Sequence, residues 1–168
     1  DIYASATPSE EVSSLRTSTA EIETFLVDNA ASKDVAVGGY DAYEVSFTLK
    51  PQFEGKTKVT LCNACGEKFS LEFDTENMTV LADRSESGKM TRIKSFVLMP
   101  AAPLGLCNSS DGYDVDVFVD KCSVEVFVDG GRIAMTNLVF PSESFDNIVF
   151  ESTGESEISN MFIHKIGK

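Results

Sequence analysis

Hydrophobic and polar residues alternate most regularly between Tyr113 and Val128. Val115, Val117 and Val119 share one parity, and further valines at positions 124, 126 and 128 repeat it. Alternation with a period of two is typical of a strand that buries one face. We therefore predict two strands whose valines face a common core.

The next apolar residues, Ile133 and Met135, follow Asp129, Gly130 and Gly131. These three residues tolerate positive φ, and we predict a two-residue hairpin loop among them. A third strand then folds back and continues the buried face. The prediction for this stretch is a three-stranded antiparallel meander.

The first turn of the meander has two possible positions. A turn at residues 120 and 121 would place Asp116 opposite Glu125, and like charges directly opposite one another destabilise a strand pair. A turn at residues 121 and 122 places Phe118 opposite Glu125 instead and still keeps the valines together. We favour the second position.

In both registers Phe118 and Phe127 point away from the valines, beside the two acids. Two large rings are more apolar surface than a solvent-facing sheet usually exposes in one place. We expect this outer face to be covered by another domain, by a sugar, or by a connection of the same chain such as residues 101–111 or 141–147.

Further strand-like runs follow at short spacing, separated by Gly, Pro, Asn and Asp. They comprise residues 21–26, 43–49, 58–63, 68–73, 79–82, 93–99, 148–151 and 158–166. Near the N terminus, Thr7 as N-cap, Pro8 at the first helical position and Glu10 predict a helix of about two turns. The pattern predicts an all-β protein: a two-sheet antiparallel β-sandwich of the jelly-roll or lectin-like type, with a short N-terminal helix.

The composition of the chain limits the kinds of partner that it can bind. The length of 168 residues suits a single domain, and the formal net charge of −13 argues against nucleic acid as a partner. No apolar run approaches the roughly 20 residues of a spanning helix, so we predict no membrane span. No signal segment opens the sequence, so a signal for export would lie outside it. A neutral polysaccharide is compatible with the charge.

The cysteines raise the question of a metal. Cys62 and Cys65 have the two-residue spacing of zinc and redox motifs, but Cys107 and Cys122 are isolated and the one histidine is His164. We expect no cofactor and predict free, mostly packed thiols, with a disulfide or a structural metal as open alternatives.

Three segments resemble one known family. Residues 118–132 (FVDKCSVEVFVDGGR), followed by Met-Thr-Asn at 135–137 and Phe-Pro at 140–141, resemble the signature of the C-terminal β-sandwich of glycoside hydrolase family 32. Residues 83–88 (DRSESG) are similar to that family's Asp-Arg-x-x-Ser-Gly turn, and residues 8–16 (PSEEVSSLR) resemble its helical linker. The resemblance covers essentially the whole chain.

This resemblance implies a domain division and a parent enzyme. Residues 1–16 would be the linker helix from a catalytic five-bladed propeller, and residues 17–168 would be the sandwich. The parent would be a retaining β-fructosidase of the levanase, inulinase or invertase kind, located outside the cell, in the periplasm or at the cell surface. The family's catalytic carboxylates belong to propeller motifs reading roughly Trp-Met-Asn-Asp-Pro-Asn-Gly, Arg-Asp-Pro and Glu-Cys, and none of these occurs here.

Two functions from different classes follow. The chain is either a non-catalytic domain that packs on and stabilises the propeller, or a carbohydrate-binding module that docks fructan. An enzyme active on its own is the least favoured reading, because Asp116 and Glu125 are better explained as solvated charges of the outer face. The candidate interface or sugar-contacting residues are Asp116, Phe118, Glu125 and Phe127, with Tyr40 and Tyr43 as further sugar contacts.

The resemblance also marks residues that we expect to be structural rather than catalytic. They are Asp83, Arg84, Asp120, Gly131, Arg132, Thr136 and Pro141. We predict that Asp83 and Arg84 anchor a turn and, as neighbours on a strand, point to opposite faces.

Overall fold

The computed structural model describes residues 4–90, 92–107 and 110–167. They form two antiparallel sheets packed face to face, as predicted. In chain order the elements are α1 (Glu10–Ser14), β1 (Arg16–Ile22), β2 (Phe25–Asp28), β3 (Lys33–Ala36), β4 (Tyr43–Pro51), β5 (Lys56–Cys62), β6 (Lys68–Asp74), β7 (Thr79–Glu86), β8 (Ala101–Pro103), a 3-10 turn (Leu104–Leu106), β9 (Tyr113–Val119), β10 (Ser123–Val128), β11 (Ile133–Leu138), β12 (Asn147–Ser152) and β13 (Glu155–Ile166).

The first strand, β1, and the last strand, β13, are neighbours in the same sheet. Sheet A has the order β1-β13-β4-β9-β10-β11, and β2 also pairs with β13. Sheet B has the order β3-β12-β5-β6-β7-β8. The register of β13 against β4 shifts between Ser159 and Phe162, where Asn160 takes a positive φ of 50°. This bulge lets one strand of 12 residues pair with β1, β2 and β4.

The meander has the favoured register. Glu125 pairs with Phe118 and Phe127 pairs with Asp116, which places the first turn at residues 121 and 122. The six valines, Ile133 and Met135 are all buried. The second turn differs from the prediction: Val128 pairs directly with Ile133, so the loop has the four residues 129–132. Three consecutive residues there have positive φ, which a two-residue loop has no room for.

Large aromatic residues fill the space between the sheets. Phe47 of sheet A meets Phe150 of sheet B edge to face, with ring centroids 5.4 Å apart. Tyr113 of sheet A lies 6.3 Å from Phe73 of sheet B. All four residues are buried, so the aromatic contacts join the two layers of the core.

One predicted strand was wrong, and the predicted N-terminal helix is confirmed with a later start. Residues 93–99 form turns rather than a strand; bonds such as that from Phe96 N to Ile93 O reach only three residues back. Helix α1 begins after Ser9, two residues later than predicted from Thr7, and buries no residue. A five-residue helix with no buried side chain has little packing to extend it.

Other boundaries also moved. The predicted strand at 21–26 is interrupted between Ile22 and Phe25, because β1 and β2 pair with different parts of β13. The short edge strands β3 and β8 have no clear alternation and were not predicted. Edge strands are often short, and a few residues give little periodicity.

Candidate functional site

The four candidate residues of the outer face lie together on sheet A. Asp116 and Phe127 are cross-strand partners, as are Phe118 and Glu125. The two rings meet edge to face with centroids 5.9 Å apart. All four side chains are half-buried, so something covers this face.

The cover is the N-terminal segment, residues 6–15, which we had not predicted. Ala6 N donates to the carbonyl oxygen of Gly131 at 3.2 Å, and Gly167 N donates to the carbonyl oxygen of Leu15 at 3.0 Å. Because Gly131 follows β10 and Gly167 follows β13, the segment crosses the outer face between these two points. The cover thus comes from the same chain, which was one of the three alternatives, but from its N-terminal segment rather than from residues 101–111 or 141–147.

A cleft of about 580 Å³ remains between this segment and the sheet. One wall is formed by the segment and Ala42, and the other by the sheet. The sheet side presents Phe118, Phe127, Glu125, Thr136 and Asp120. The cleft therefore combines two aromatic rings with hydroxyl and carboxylate groups.

The close approach of the segment requires a glycine at position 131. Gly131 has a φ of +81°, and a Cβ there would overlap the carbonyl group of Ala6. Gly130 has a φ of +63° but faces open space. The second glycine of the motif is thus needed for docking and the first for the turn alone.

A charged cluster borders the cleft where β1 enters the sheet. Arg16 Nε and Nη2 donate to the two carboxylate oxygens of Glu44 at 2.7 and 2.6 Å. Glu44 is only 2% exposed, so the paired guanidinium is what allows this charge to be buried. Sequence reasoning placed Glu44 in a strand but had no signal for its burial or for its partner.

Asp116 lies beside this ion pair. Burial and then the neighbouring Glu44 carboxylate raise the pKa of Asp116, while Arg16 opposes them. On β13, His164 Nδ1 lies 2.8 Å from Thr19 Oγ1, and burial lowers the pKa of the imidazole. The ionisable groups of this face are therefore held by packing and by one another.

The motif at 83–88 begins in the last residues of β7 and ends at Gly88, which forms a bridge with Phe140 where the two sheets adjoin. Asp83 Oδ1 accepts a hydrogen bond from Ser85 N at 2.8 Å. Lys89 N donates to Phe140 O at 3.0 Å, and a Cβ at Gly88 would overlap the same carbonyl group. The Asp-Arg motif and the Phe-Pro motif that ends at Pro141 thus meet where the sheets adjoin.

Arg84 makes contacts in the same corner. Its guanidinium lies 4.4 Å from the centre of the Phe96 ring, and its Nη1 donates to Leu138 O at 3.4 Å. Phe96 in turn lies 5.9 Å from Phe140. Of residues 93–99, Phe96 packs on these groups, whereas Ile93, Leu98 and Met99 are exposed, so the run is apolar without forming a strand.

Three further motif residues lie at the loops and the exposed surface of the meander. Asp120 Oδ1 accepts from Lys121 N at 2.7 Å in the first turn. Arg132 Nη1 donates to Leu106 O at 3.1 Å, which ties the second loop to the 3-10 turn. Thr136 is exposed and pairs across the strands with Glu125.

Tyr40 and Tyr43 were both expected to contact sugar, and the structure contradicts this for Tyr43. Tyr43 is fully buried, and its hydroxyl donates to Phe145 O at 3.0 Å, so it is a core residue. Burial also raises the pKa of this phenol well above its usual range. Tyr40 is half-buried, with Lys165 Nζ 5.5 Å from its ring centre. The expectation was wrong for Tyr43, whose ring no sugar can reach.

The cysteines are free thiols in the structure. Cys65 and Cys122 are exposed, so the expectation of mostly packed thiols was wrong for half of them. Burial raises the pKa of Cys62, and burial with the nearby Asp129 carboxylate raises that of Cys107 to about 11. Within residues 4–90, 92–107 and 110–167, no cluster of three or more His, Cys, Asp or Glu is arranged to hold a metal ion.

No helix among the described residues is long and apolar enough to cross a membrane.

Comparison with known proteins gives a consistent result. The profile of the family described as "Glycosyl hydrolases family 32 C terminal" matches residues 11–165. The levanase of Bacillus subtilis (strain 168) is 25% identical over 166 residues, covering 96% of this chain and 24% of the levanase. A fructan beta-fructosidase of Streptococcus mutans is 31% identical over 105 residues, covering 61% of this chain and 7% of that protein.

The fold has close counterparts among solved structures. An exo-inulinase from Aspergillus awamori superposes with a TM-score of 0.75 at 24% identity, covering 99% of this chain and 33% of the inulinase. A sucrose-6-phosphate hydrolase from Lactobacillus gasseri superposes with a TM-score of 0.72 at 19% identity, covering 97% of this chain and 31% of the hydrolase. The chain thus spans a third or less of the length of each of these proteins.

Proposed function

The chain belongs to the family of C-terminal domains of glycosyl hydrolases family 32, and from this premise we propose that it is the non-catalytic β-sandwich of a fructan- or sucrose-hydrolysing enzyme. Its role is to pack on the catalytic domain of the same polypeptide and stabilise it. The observation that carries the proposal is coverage: residues 11–165 match a C-terminal domain, while the whole chain spans only 24% of the levanase. The relatives are full enzymes with an N-terminal catalytic domain.

The chemistry of the outer face supports a non-catalytic role. Hydrolysis of a glycoside needs two carboxylates on either side of a bound sugar, roughly 5 to 10 Å apart. Both oxygens of Glu44 are occupied by Arg16, and Asp116 and Glu44 do not line the cleft. Of the acids in the cleft, Asp120 has one carboxylate oxygen bound to its own turn. The cleft therefore holds two acids, Asp120 and Glu125, and one of them is already engaged in its own turn.

The N-terminal segment supports the domain division. Residues 6–15 lie on the sandwich rather than extending away from it, and Arg16 is both the first residue of β1 and the partner of Glu44. A linker fixed at Ala6 and at Leu15 would hold a preceding domain at a defined position. We therefore assign residues 1–16 to the linker and residues 17–168 to the sandwich, with a five-bladed propeller as the preceding domain.

The test uses the reading frame upstream of Asp1. We expect it to encode a catalytic domain of the same family, and we expect the enzyme to lose activity on heating at a lower temperature when the present chain is deleted. The 168-residue chain alone should release no fructose from levan, inulin, sucrose or an aryl fructoside. A catalytic domain equally heat-resistant without this chain would contradict the stabilising role. Turnover by the chain alone that disappears in Asp116→Asn or Glu125→Gln would contradict the non-catalytic role.

A second candidate function rests on the cleft itself. Phe118 and Phe127 with Glu125 and Thr136 offer ring faces and polar groups of the kind that bind sugars. As a fructan-binding module, the chain would be retarded in a gel containing levan or inulin, and Phe118→Ala would abolish the retardation while Leu138→Ala would not. If Phe118→Ala and Phe127→Ala strongly destabilise the isolated chain, the rings belong to the core and this function is withdrawn.

The parent's location follows the same reasoning. Polymeric fructans are too large to enter a cell intact, so an enzyme that degrades them acts outside the cell, in the periplasm or at the cell surface. We extend this location to the parent as part of the proposal.

A further inference from the structure

Most of the large hydrophobic side chains that the described residues expose lie along one edge of the sandwich. They are Met90, Ile93, Leu98, Met99, Leu106 and Leu138. Leu98 is 67% exposed and Met99 is 50% exposed. We call this surface the 90–106 edge.

Contacts along the edge make it continuous. At one end, Arg84 joins Phe96 to Leu138, the last residue of β11. In the middle, Pro100 O accepts a hydrogen bond from Ala82 N at 2.9 Å, which holds the segment against β7. At the other end, Arg132 binds Leu106 O. The segment therefore closes the side of the sandwich between β11 of sheet A and β7 of sheet B, with its apolar side chains outward.

The charge of this edge differs from that of the rest of the chain. Residues 87–107 contain the three basic residues Lys89, Arg92 and Lys94 and no acidic residue, whereas the whole chain has a net charge of −13. Lys89, Arg92 and Lys94 are all exposed. An apolar surface flanked by cations suits a protein partner whose facing surface is apolar and acidic.

The N-terminal segment points to the identity of that partner. Ala6 is bonded to Gly131, the neighbour of Arg132, and Arg132 holds Leu106 at the end of the edge. The polypeptide that precedes Ala6 therefore leaves the sandwich beside the 90–106 edge. The chain covers only 24% of the levanase and 33% of the inulinase, so the relatives contain much additional chain to place there.

We propose that the 90–106 edge is the surface on which the catalytic domain of the same polypeptide docks. This inference rests on the proposed function and adds which surface is used. The outer face of sheet A is not the main contact, because residues 6–15 already lie across it and leave only the cleft open. The docking surface is the opposite edge of sheet A from β1 and β2.

The experiment compares the 168-residue chain with the longer chain translated from the upstream reading frame. Amide hydrogen exchange of residues 92–107 should be slowed about tenfold or more in the long chain, because docking excludes water from this segment. Leu98→Ser should remove much of that protection and lower the melting temperature of the long chain. The same substitution should leave the 168-residue chain unchanged, because Leu98 is exposed there. Leu26→Ser is the matched control, since Leu26 is 56% exposed and lies on β2 at the far edge of sheet A.

The outcomes separate the location from the function. If this domain protects the enzyme from heat but exchange is slowed elsewhere, or if Leu26→Ser rather than Leu98→Ser weakens the long chain, the location is wrong and the proposed function stands. If the upstream frame encodes no catalytic domain, the proposed function fails first. If light scattering shows the 168-residue chain to be a dimer that Leu98→Ser dissociates, the occupant is a second copy and the proposal is overturned.

Discussion

Replacing Gly131 by alanine tests whether the N-terminal segment is docked as the structure has it. Gly130→Ala is the matched control: both glycines have positive φ, but only at Gly131 would a Cβ overlap Ala6. The left-handed conformation alone costs alanine about 1–2 kcal/mol, so Gly130→Ala should lower the free energy of unfolding by that amount.

Gly131→Ala should cost more, because the segment must also leave the sheet. Losing the bond from Ala6 N to Gly131 O removes about 1 kcal/mol, and re-exposing the half-buried Pro8 and Val12 removes about another 1 kcal/mol. We expect a difference of about 1–2 kcal/mol between the two variants by urea unfolding.

Shortening the chain supplies the decisive comparison. In a chain that begins at Ser9, Ala6 is absent, so the two alanine variants should lose equal stability. Equal losses in the full chain would refute docking of the segment at Gly131. A difference that persists in the short chain would show that the clash lies elsewhere. Protease sensitivity of residues 6–15 should rise in Gly131→Ala and stay unchanged in Gly130→Ala.

Four other predictions follow from the core, the charged cluster and the thiols. Val126→Ala should lower the free energy of unfolding by about 1–3 kcal/mol, since Val126 is 0% exposed and the truncation leaves a cavity; a loss under 0.5 kcal/mol in urea would contradict this. Arg16→Ala should cost about 2–4 kcal/mol by leaving Glu44 buried without its partner, and Glu44→Gln in the same chain should restore part of the loss. The folded-state pKa of Asp116 is raised, so its contribution to stability is present at low pH and is lost as the pH rises through that pKa. Asp116→Asn should therefore raise stability at pH 7 and lose this advantage below about pH 4, as followed by urea unfolding across that range; equal stability at pH 7 would contradict it. The melting temperature should be the same with excess reductant and chelator, because the cysteines are free thiols, and a fall of several degrees would reveal a link between them.

The parts of the fold that were predictable are those fixed by short-range pattern. Alternation alone placed the six valines of β9 and β10 on the buried face, and repulsion between Asp116 and Glu125 selected the correct first turn. The second loop was harder, because Asp129, Gly130 and Gly131 permit more than one loop length. The loop in the structure has four residues, and within it Gly131 contacts Ala6, which lies 125 residues away along the chain.

Two of the three missed features depend on partners distant in sequence. Glu44 looks like an ordinary outer-face acid, and only the arrival of Arg16 makes its burial possible. Residues 93–99 look like a strand because they are apolar, yet they form turns in which Phe96 packs on Arg84 while Ile93, Leu98 and Met99 stay exposed. The grouping of Phe118 and Phe127 was predictable from parity. The segment that covers them was not, since five helical residues without a buried face give no sign of where they lie.

The position of β13 has a consequence for synthesis of the protein on the ribosome. β1, β2 and β4 all pair with this last strand, and among the described residues β1 has no other partner in sheet A. Until residues 155–166 leave the exit tunnel, β1 and β2 have no strand of sheet A to pair with, β4 is paired only with β9, and the core cannot close. The domain should therefore fold in one late step once β13 is available, with any domain translated before it already folded. A nascent chain that stops before β13 exposes the unpaired edges of β1 and β4, which marks an incomplete product for proteolysis.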